Sequence, residues 1–436
     1  MGYARKLRRP GLMIRLKRGP ESAENGKIAK DVDCEIGCLT ASLNKNAAVG
    51  LKPKEKLQSV SFRELYLMFA GSLSYRDTTD AMNQVLHRTE DNRLRATTLE
   101  NRVESFGMSL SEGYMEKAEE ILESYGIDKV SGMITEDTML PDSFLHLQLP
   151  ALLEEKKVRS LITNYNRGRD SMLKLKYGKV TSCIETSTER CCYIRIDDVN
   201  VKYQKSRRKG KGKKCKKYVA NTVIHIEADG MQYTITAVGM RKAFKLLVAF
   251  LLNNNLMDKH RLIFLTDGAT CIRDNISKYF GFRQYTLILD WLHLKKKCGE
   301  LLSMAIKGSK AEKNDIRATV GNILWTGRYE KAIEYLNSLK KSNIKNSKAL
   351  QDVKDYINRK SPNITCYAIR HELGLPISSN RVEKANDIVV AKRQKHNGMS
   401  WSDKGSSALA IIKAAEVNGE LREWITNKAL RFGLCA

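Results

Sequence analysis

Residues 193–202, Tyr193-Ile-Arg-Ile-Asp-Asp-Val-Asn-Val-Lys202, alternate β-branched and polar side chains and read as a strand carrying a carboxylate. Two further strands follow at 218–228 (YVANTVIHIEA) and 232–238 (QYTITAV). They are joined by Asp229-Gly230, a dipeptide suited to a two-residue hairpin because both positions tolerate positive φ. A helix is predicted over 241–254, then a buried strand at 261–266 that ends in Asp267-Gly268-Ala269. A short helix over 272–280 and a buried strand at 285–290 complete the run. The order β-β-β-α-β-α-β predicts an α/β core over 191–290, a mixed five-stranded sheet made of a meander continued by helix-linked strands.

Asp197 lies within the first strand and Asp267 at the C-terminal end of the fourth. Open α/β sheets place their sites at such strand ends, and neighbouring strands would let the two carboxylates share a divalent metal. An Asp before Gly also serves as a plain turn residue. Asp198, one residue along the strand, points to the opposite face. Between the first two strands runs KYQKSRRKGKGKKCKKY, with Lys209, Lys211, Lys213 and Lys214 at its centre. So dense a run of one sign repels itself unless an anion covers it. It reads as a nucleic-acid phosphate contact, with a solvated loop as the other reading.

The 436 residues are enough for two or three domains, and 76 Lys and Arg against 49 Asp and Glu leave a net charge of +27. That surplus suits a polyanion, either nucleic acid or an acidic membrane surface. A membrane span is not expected, because the densest apolar run, LLVAFLL at 246–252, stops at Asn253-Asn254-Asn255. The basic N-terminus has no signal-peptide pattern, which places the chain in the cytoplasm, with the nucleoid as its expected station. The ten cysteines form no pair of CxxC motifs and are read as structural or inert.

Residues 1–58 read as a basic arm and 59–126 as a helical DNA-binding region. Ser61-Phe-Arg-Glu64 has the form of a capping box, and Ser74-Tyr75-Arg76-Asp77 opens a second helix. Thr97-Thr98-Leu99-Glu100-Asn101-Arg102-Val103 has the shape of a recognition helix, with Arg95 and Arg102 as DNA contacts; an ordinary helical hairpin is the alternative. A further helix is expected over 109–126, and 127–190 read as a connecting region. After Asp290 the pattern is helical at 291–308, 312–324, 328–339 and 348–358, within an all-helical stretch taken as 291–372. The C-terminal segment, 373–436, contains GLPISSNRVEKAND and RQKHNGMSW. Its helix starts near Ser378 or Ser379 and carries Glu383 in its first turns, with Arg381, Lys384, Lys392, Arg393 and Lys395 as charges for a DNA backbone.

These motifs resemble a known family. The β-β-β-α-β-α-β core with Asp197 and Asp267 is similar to the RNase H-like catalytic domain of DDE transposases. Asp290-Trp-Leu-His293 resembles the Asp/Cys-x-x-His element of their Mutator-like branch. The block around Glu383 resembles the third-acid region of a bacterial insertion-sequence group within that branch. Asp267 follows Asp197 by 70 residues and Glu383 follows Asp267 by 116, which leaves room for an all-α insertion. Two positions depart from the pattern: Asp198 stands where relatives carry a small residue, and Ser378-Ser379-Asn380 replaces a Gly-containing turn.

The resemblance implies a transposase of an insertion sequence that binds terminal inverted repeats and then cleaves and joins DNA strands. It further implies Asp197, Asp267 and Glu383 as catalytic residues and ligands of Mg²⁺ or Mn²⁺, two ions per site. Asp290 and His293 would be auxiliary, His293 either touching the scissile phosphate or making a structural hydrogen bond. DNA and further copies of the chain would be the partners. A non-transposing RNase H-like nuclease and a catalytically inactive DNA-binding regulator are the alternatives.

Overall fold

In the computed structural model Asp229 and Gly230 both take the left-handed conformation, with φ of 52° and 76°, as the two-residue hairpin requires. The turn folds β2 (Tyr218–Ala228) back antiparallel to β3 (Met231–Val238), with Ala228 opposite Met231. Before them comes β1 (Cys191–Lys202), and after them β4 (Arg261–Thr266) and β5 (Thr286–Leu289). The sheet has the order β3-β2-β1-β4-β5, and β1, β4 and β5 run parallel. It is therefore mixed, with the long first strand in the middle. The structure describes the backbone of 6–9, 12–15, 28–34 and 37–43, together with residues 60–135, 138, 140, 141, 155–181, 191–204, 217–395 and 398–435.

The helices are α1 (Val60–Ala70), α2 (Tyr75–Val85), α3 (Ala96–Ser124), α4 (Glu155–Asn166), α5 (Tyr177–Thr181), α6 (Met240–Asn253), α7 (Leu256–Lys259) and α8 (Thr270–Phe280). Then come α9 (Trp291–Ala305), α10 (Lys310–Trp325), α11 (Tyr329–Asn337), α12 (Ser347–Lys360), α13 (Tyr367–Glu372), α14 (Asn380–Asn386), α15 (Asp403–Val417) and α16 (Leu421–Asn427). Among the described residues no helix is long and apolar enough to cross a membrane. The apolar run 246–252 lies in α6, which is buried almost all round. Even Lys245 there is 5% exposed, its ammonium 2.7 Å from the Glu119 carboxylate.

The chain divides into two compact units: 1–113, 201–219 and 389–431 in one, and 114–200, 220–388 and 432–436 in the other. In the second unit, Ile263, Leu265, Ile288 and Leu289 of the sheet share one apolar cluster with Leu294, Cys298 and Leu302 of α9, Val320 and Leu324 of α10, Leu336 of α11 and Val353 and Ile357 of α12. The helical stretch after β5 thus has no core separate from the sheet's. In the first unit, α1–α3 are joined by α15 and α16.

Two local expectations are corrected. Ser61 lies inside α1, which starts at Val60, so it is not the helix cap; Ser74 does cap α2, accepting from Asp77 N at 3.0 Å. The recognition helix and the helix expected at 109–126 are one helix, α3, of 29 residues. Gly107 does not break it, because its missing side chain is what lets α15 approach: a Cβ there would lie 2.5 Å from Ala408 Cα. Part of the stretch read as a basic arm forms antiparallel pairs, Lys6–Arg9 with Leu12–Arg15 and Ile28–Cys34 with Gly37–Leu43.

Candidate active site

Parallel pairing decides where the two strand carboxylates go. The β1–β4 ladder ends with Arg195 opposite Leu265, so two residues further on Asp197, still within β1, comes beside Asp267, just past the end of β4. Burial pushes the Asp197 carboxyl up to about 6, and the nearby Asp267 and adjacent Asp198 charges add to the rise against a hydrogen bond from the Asp198 backbone and the nearby His293. Asp197 Oδ1 accepts from Asp198 N at 2.8 Å, and its Oδ2 accepts from Asn386 Nδ2 on α14 at 2.6 Å. Asp198 points the other way, as alternation demands, and accepts from the Thr222 hydroxyl of β2 at 2.6 Å. Burial also raises the Asp198 carboxyl, opposed by that hydroxyl.

Asp267 sits in a tight turn. Its Oδ1 accepts from Ala269 N at 2.7 Å, and Gly268 takes φ 83°. A Cβ at Gly268 would lie 2.6 Å from Leu289 Cδ1, so the turn needs glycine for both backbone and space. The ammonium of Lys360, at the end of α12, donates to the Gly268 carbonyl.

Asp290 is fully buried and caps α9, accepting from His293 N at 2.8 Å. Its other oxygen accepts from the Ser379 hydroxyl at 2.8 Å and from the Ser379 backbone N–H. Burial would raise this carboxyl, but the hydrogen bonds from His293 and Ser379 prevail and hold it below the usual range. Asp290 N in turn donates to Thr266 O at 2.8 Å. Asp290 therefore ties the start of α9 and the start of α14 together through its carboxylate and the end of β4 through its backbone N–H. Ser379 stands at the helix start the sequence suggested, but its side chain serves Asp290 instead of capping α14.

His293 Nδ1 lies 3.4 Å from Asp290 Oδ1 and 4.0 Å from Glu383 Oε1. The Asp290 carboxylate raises its pKa against the opposing effect of burial, and Asp267 and Glu383 add to the rise. Asp197, Asp267, His293 and Glu383 thus face a common region. Among the described residues none of Asp197, Asp198 and Asp267 is ion-paired with a lysine or arginine. Hard oxygen donors with no lysine or arginine partner among the described residues are the chemistry that Mg²⁺ or Mn²⁺ selects. Among the described residues, however, no three His, Cys, Asp or Glu side chains are gathered closely enough to close a ligand set.

A second charged group braces α14. Arg195, two residues before Asp197 on the same face of β1, donates to Glu227 Oε2 at 2.7 Å. Glu227 also meets His225 Nε2 at 3.1 Å and accepts from Arg381 of α14. Burial opposes its ionisation, but the His225 hydrogen bond and the Arg195 charge win and hold Glu227 at about 2. Sequence reading passed over Thr222, Glu227, Lys360 and Asn386, and it took Ser379 for a helix start without its bond to Asp290. The His225-x-Glu227 alternation and the Glu383-x-x-Asn386 spacing are the signals that could have found two of these polar groups.

The proposed DNA contacts separate by exposure. Lys392 and Lys395 are exposed, as is Arg95 just before α3, and Arg102 is half-buried. Arg381 is exposed but engaged with Glu227. Arg393 is a correction. It is 5% exposed, donates to Ala70 O at 2.9 Å and lies over the Tyr75 and Trp401 rings at 5.3 and 4.8 Å, so its guanidinium is built into the first unit's core. Lys209, Lys211, Lys213 and Lys214 lie outside the described residues.

A family model matches residues 175–428, a span that contains every carboxylate and histidine of this site. The chain belongs to the uncharacterised protein family UPF0236. The UPF0236 match starts after α3, so Arg95 and Arg102 fall outside it. No curated protein matches the chain. A solved structure, the Drosophila P element transposase strand transfer complex, matches at 10% identity over 66% of this chain and 83% of that one. Its TM-score of 0.19 is too low to carry an inference.

Proposed function

We propose that this chain is an insertion-sequence DNA transposase with an RNase H-like catalytic core, binding terminal inverted repeats and carrying out metal-dependent strand cleavage and strand transfer. The observation that carries the reading is the parallel register that sets Asp197 beside Asp267, with the helix of Glu383 tied to Asp197 through Asn386. The order β3-β2-β1-β4-β5 and the helical run after β5 fit the same reading. Asp197, Asp267 and Glu383 would hold Mg²⁺ or Mn²⁺, which when bound supplies an activated water or 3′-OH and charge stabilisation at the leaving oxygen.

The chain's own residues do the rest. Asp290 favours the protonated form of His293 beside Glu383, and a protonated imidazole there would offer one positive charge to a scissile phosphate. Ser379 and Arg381 anchor α14, so Glu383 is presented from a braced helix. Hydrolysis would free a 3′-OH at the element end, and attack of that hydroxyl on target DNA would exchange one phosphodiester for another. The start of α3, with Arg95, Thr97, Thr98 and Asn101 exposed, would read the ends in the manner of a helix-turn-helix, and copies of the chain would assemble on nucleoid DNA.

The test incubates the purified chain with Mg²⁺ or Mn²⁺ and DNA carrying the element's own inverted repeats. Strand joining, abolished in Asp267→Asn and Glu383→Gln while end binding persists, is the expected result. Cleavage without joining would leave a nuclease, and binding without cleavage a regulator.

A further inference from the structure

Asn386 is 6% exposed and sits three residues after Glu383, hence on the same face of α14. Its Nδ2 donates to Asp197 Oδ2 at 2.6 Å. An ionised carboxylate only accepts, so the amide nitrogen must be the atom facing Asp197, and Oδ1 points the other way. That Oδ1 is buried and has no hydrogen-bond partner. Buried acceptors without partners are rare in folded proteins, and among the described residues no lysine or arginine pairs with Asp197, Asp198 or Asp267. Directly after Asn386 the helix widens into a π-helix, Asp387–Ala391, an uncommon turn that recurs at functional sites.

We propose that Asn386 is a positioning residue of the metal site, its amide nitrogen fixing the Asp197 carboxylate in the orientation that would hold the divalent cation together with Glu383 on the same helix. This rests on the metal-dependent reading above and adds a residue to it. An arginine or lysine in this place would orient Asp197 equally well but would neutralise the charge that attracts the cation. An amide orients the carboxylate and leaves its charge intact. Asn386 also couples Asp197 on β1 to the helix of Glu383, so carboxylates 186 residues apart in the chain are held in one arrangement.

The test titrates Mn²⁺ into the full chain without DNA, followed by electron paramagnetic resonance, for the wild type, Asp197→Asn, Asn386→Leu and Asn386→Ala. Leucine matches the size of asparagine without donor or acceptor. Alanine serves if leucine fails to fold, as judged by thermal melting. The expected result is Mn²⁺ affinity weakened about tenfold or more in the Asn386 variants, the usual scale for groups that orient metal ligands. Cleavage of end DNA should then recover at saturating Mn²⁺, with the metal KM raised and kcat nearly restored, which a misfolded site would not permit. Wild-type Mn²⁺ affinity in Asn386→Leu alongside lost affinity in Asp197→Asn would overturn the proposal and leave the metal-dependent reading standing. So would a cleavage defect that Mn²⁺ does not rescue. Equal Mn²⁺ affinity in wild type and Asp197→Asn would sink that reading itself, and the role of Asn386 with it.

Discussion

Replacing Asp290 with Asn keeps its volume but puts an amide NH₂ where a carboxylate accepts from three donors, the His293 N–H, the Ser379 N–H and the Ser379 hydroxyl. Hydrogen bonds to a charged group contribute roughly 1.5–3 kcal/mol each, and a buried donor left unsatisfied costs about 1–3 kcal/mol. Asn can still accept through one oxygen, so one or two of the three interactions fail, for a loss of about 3–5 kcal/mol. Against a typical domain stability of about 5–15 kcal/mol this is large but survivable. The acid dependence has a definite sign. Asp290 is held below its ordinary value of 3.8, so it stabilises the fold above that pH and the contribution disappears as pH falls through its lower folded value. Urea unfolding from pH 7 down to pH 3 should show the gap between wild type and Asp290→Asn narrowing at the acid end. Cleavage should fall by about 100-fold at neutral pH, the scale expected when a catalytic group is displaced by roughly 1 Å, because Ser379 no longer anchors the helix of Glu383. A variant within 1 kcal/mol of wild type, or one cleaving at an unchanged rate, would refute the view that this carboxylate fastens the site.

Asp197→Asn should stabilise the metal-free chain at pH 8 by on the order of 1–3 kcal/mol, because a carboxyl raised to about 6 is forced to ionise there beside Asp267. The gain should shrink as pH falls through 6, where the wild-type group takes up its proton; thermal melts in EDTA across that range measure it. Asp198→Asn should affect cleavage less than Asp197→Asn, since Asp198 faces Thr222 instead of Asn386; comparable losses in a cleavage assay would count against the assignment. Gly268→Ala, strained at φ 83° and crowded against Leu289, should cost about 2–4 kcal/mol in urea unfolding and reduce cleavage by displacing Asp267. Arg393→Ala should destabilise the chain by about 2–4 kcal/mol without altering the salt dependence of DNA binding. Removing both Lys392 and Lys395 should do the reverse, lowering the slope of log affinity against log salt by about 2.

Local patterns made the α/β core legible. Alternation in 193–202, the Asp229-Gly230 turn and the buried run at 261–266 each specify an element through short-range physics, and the structure forms a strand, a hairpin turn and a strand at these places. Errors arose where a distant partner overrides a local preference. The stretch 97–126 reads as two helices, yet α15 packs against Gly107 and α3 runs straight through. Arg393 looked like one more phosphate contact in a basic helix, until Tyr75, Trp401 and the Ala70 carbonyl enclosed it.

The same division runs through the site. Asp197 and Asp267 are expected at a site from their places in the strands, and Asp290, His293 and Glu383 from motifs that resemble those of a known family. Which of them meet depends on pairing between segments far apart in the chain. The β1–β4 register sets Asp197 beside Asp267, Ser379 closes on Asp290 from 89 residues away, and Asn386 reaches Asp197 across 189. A hydrogen bond spanning such a separation leaves no periodic trace in the sequence, since any polar residue at those positions reads as surface. Only the folded chain, by burying Asp290 and Asn386 where an unmatched polar group is costly, reveals that these residues hold the carboxylates in place.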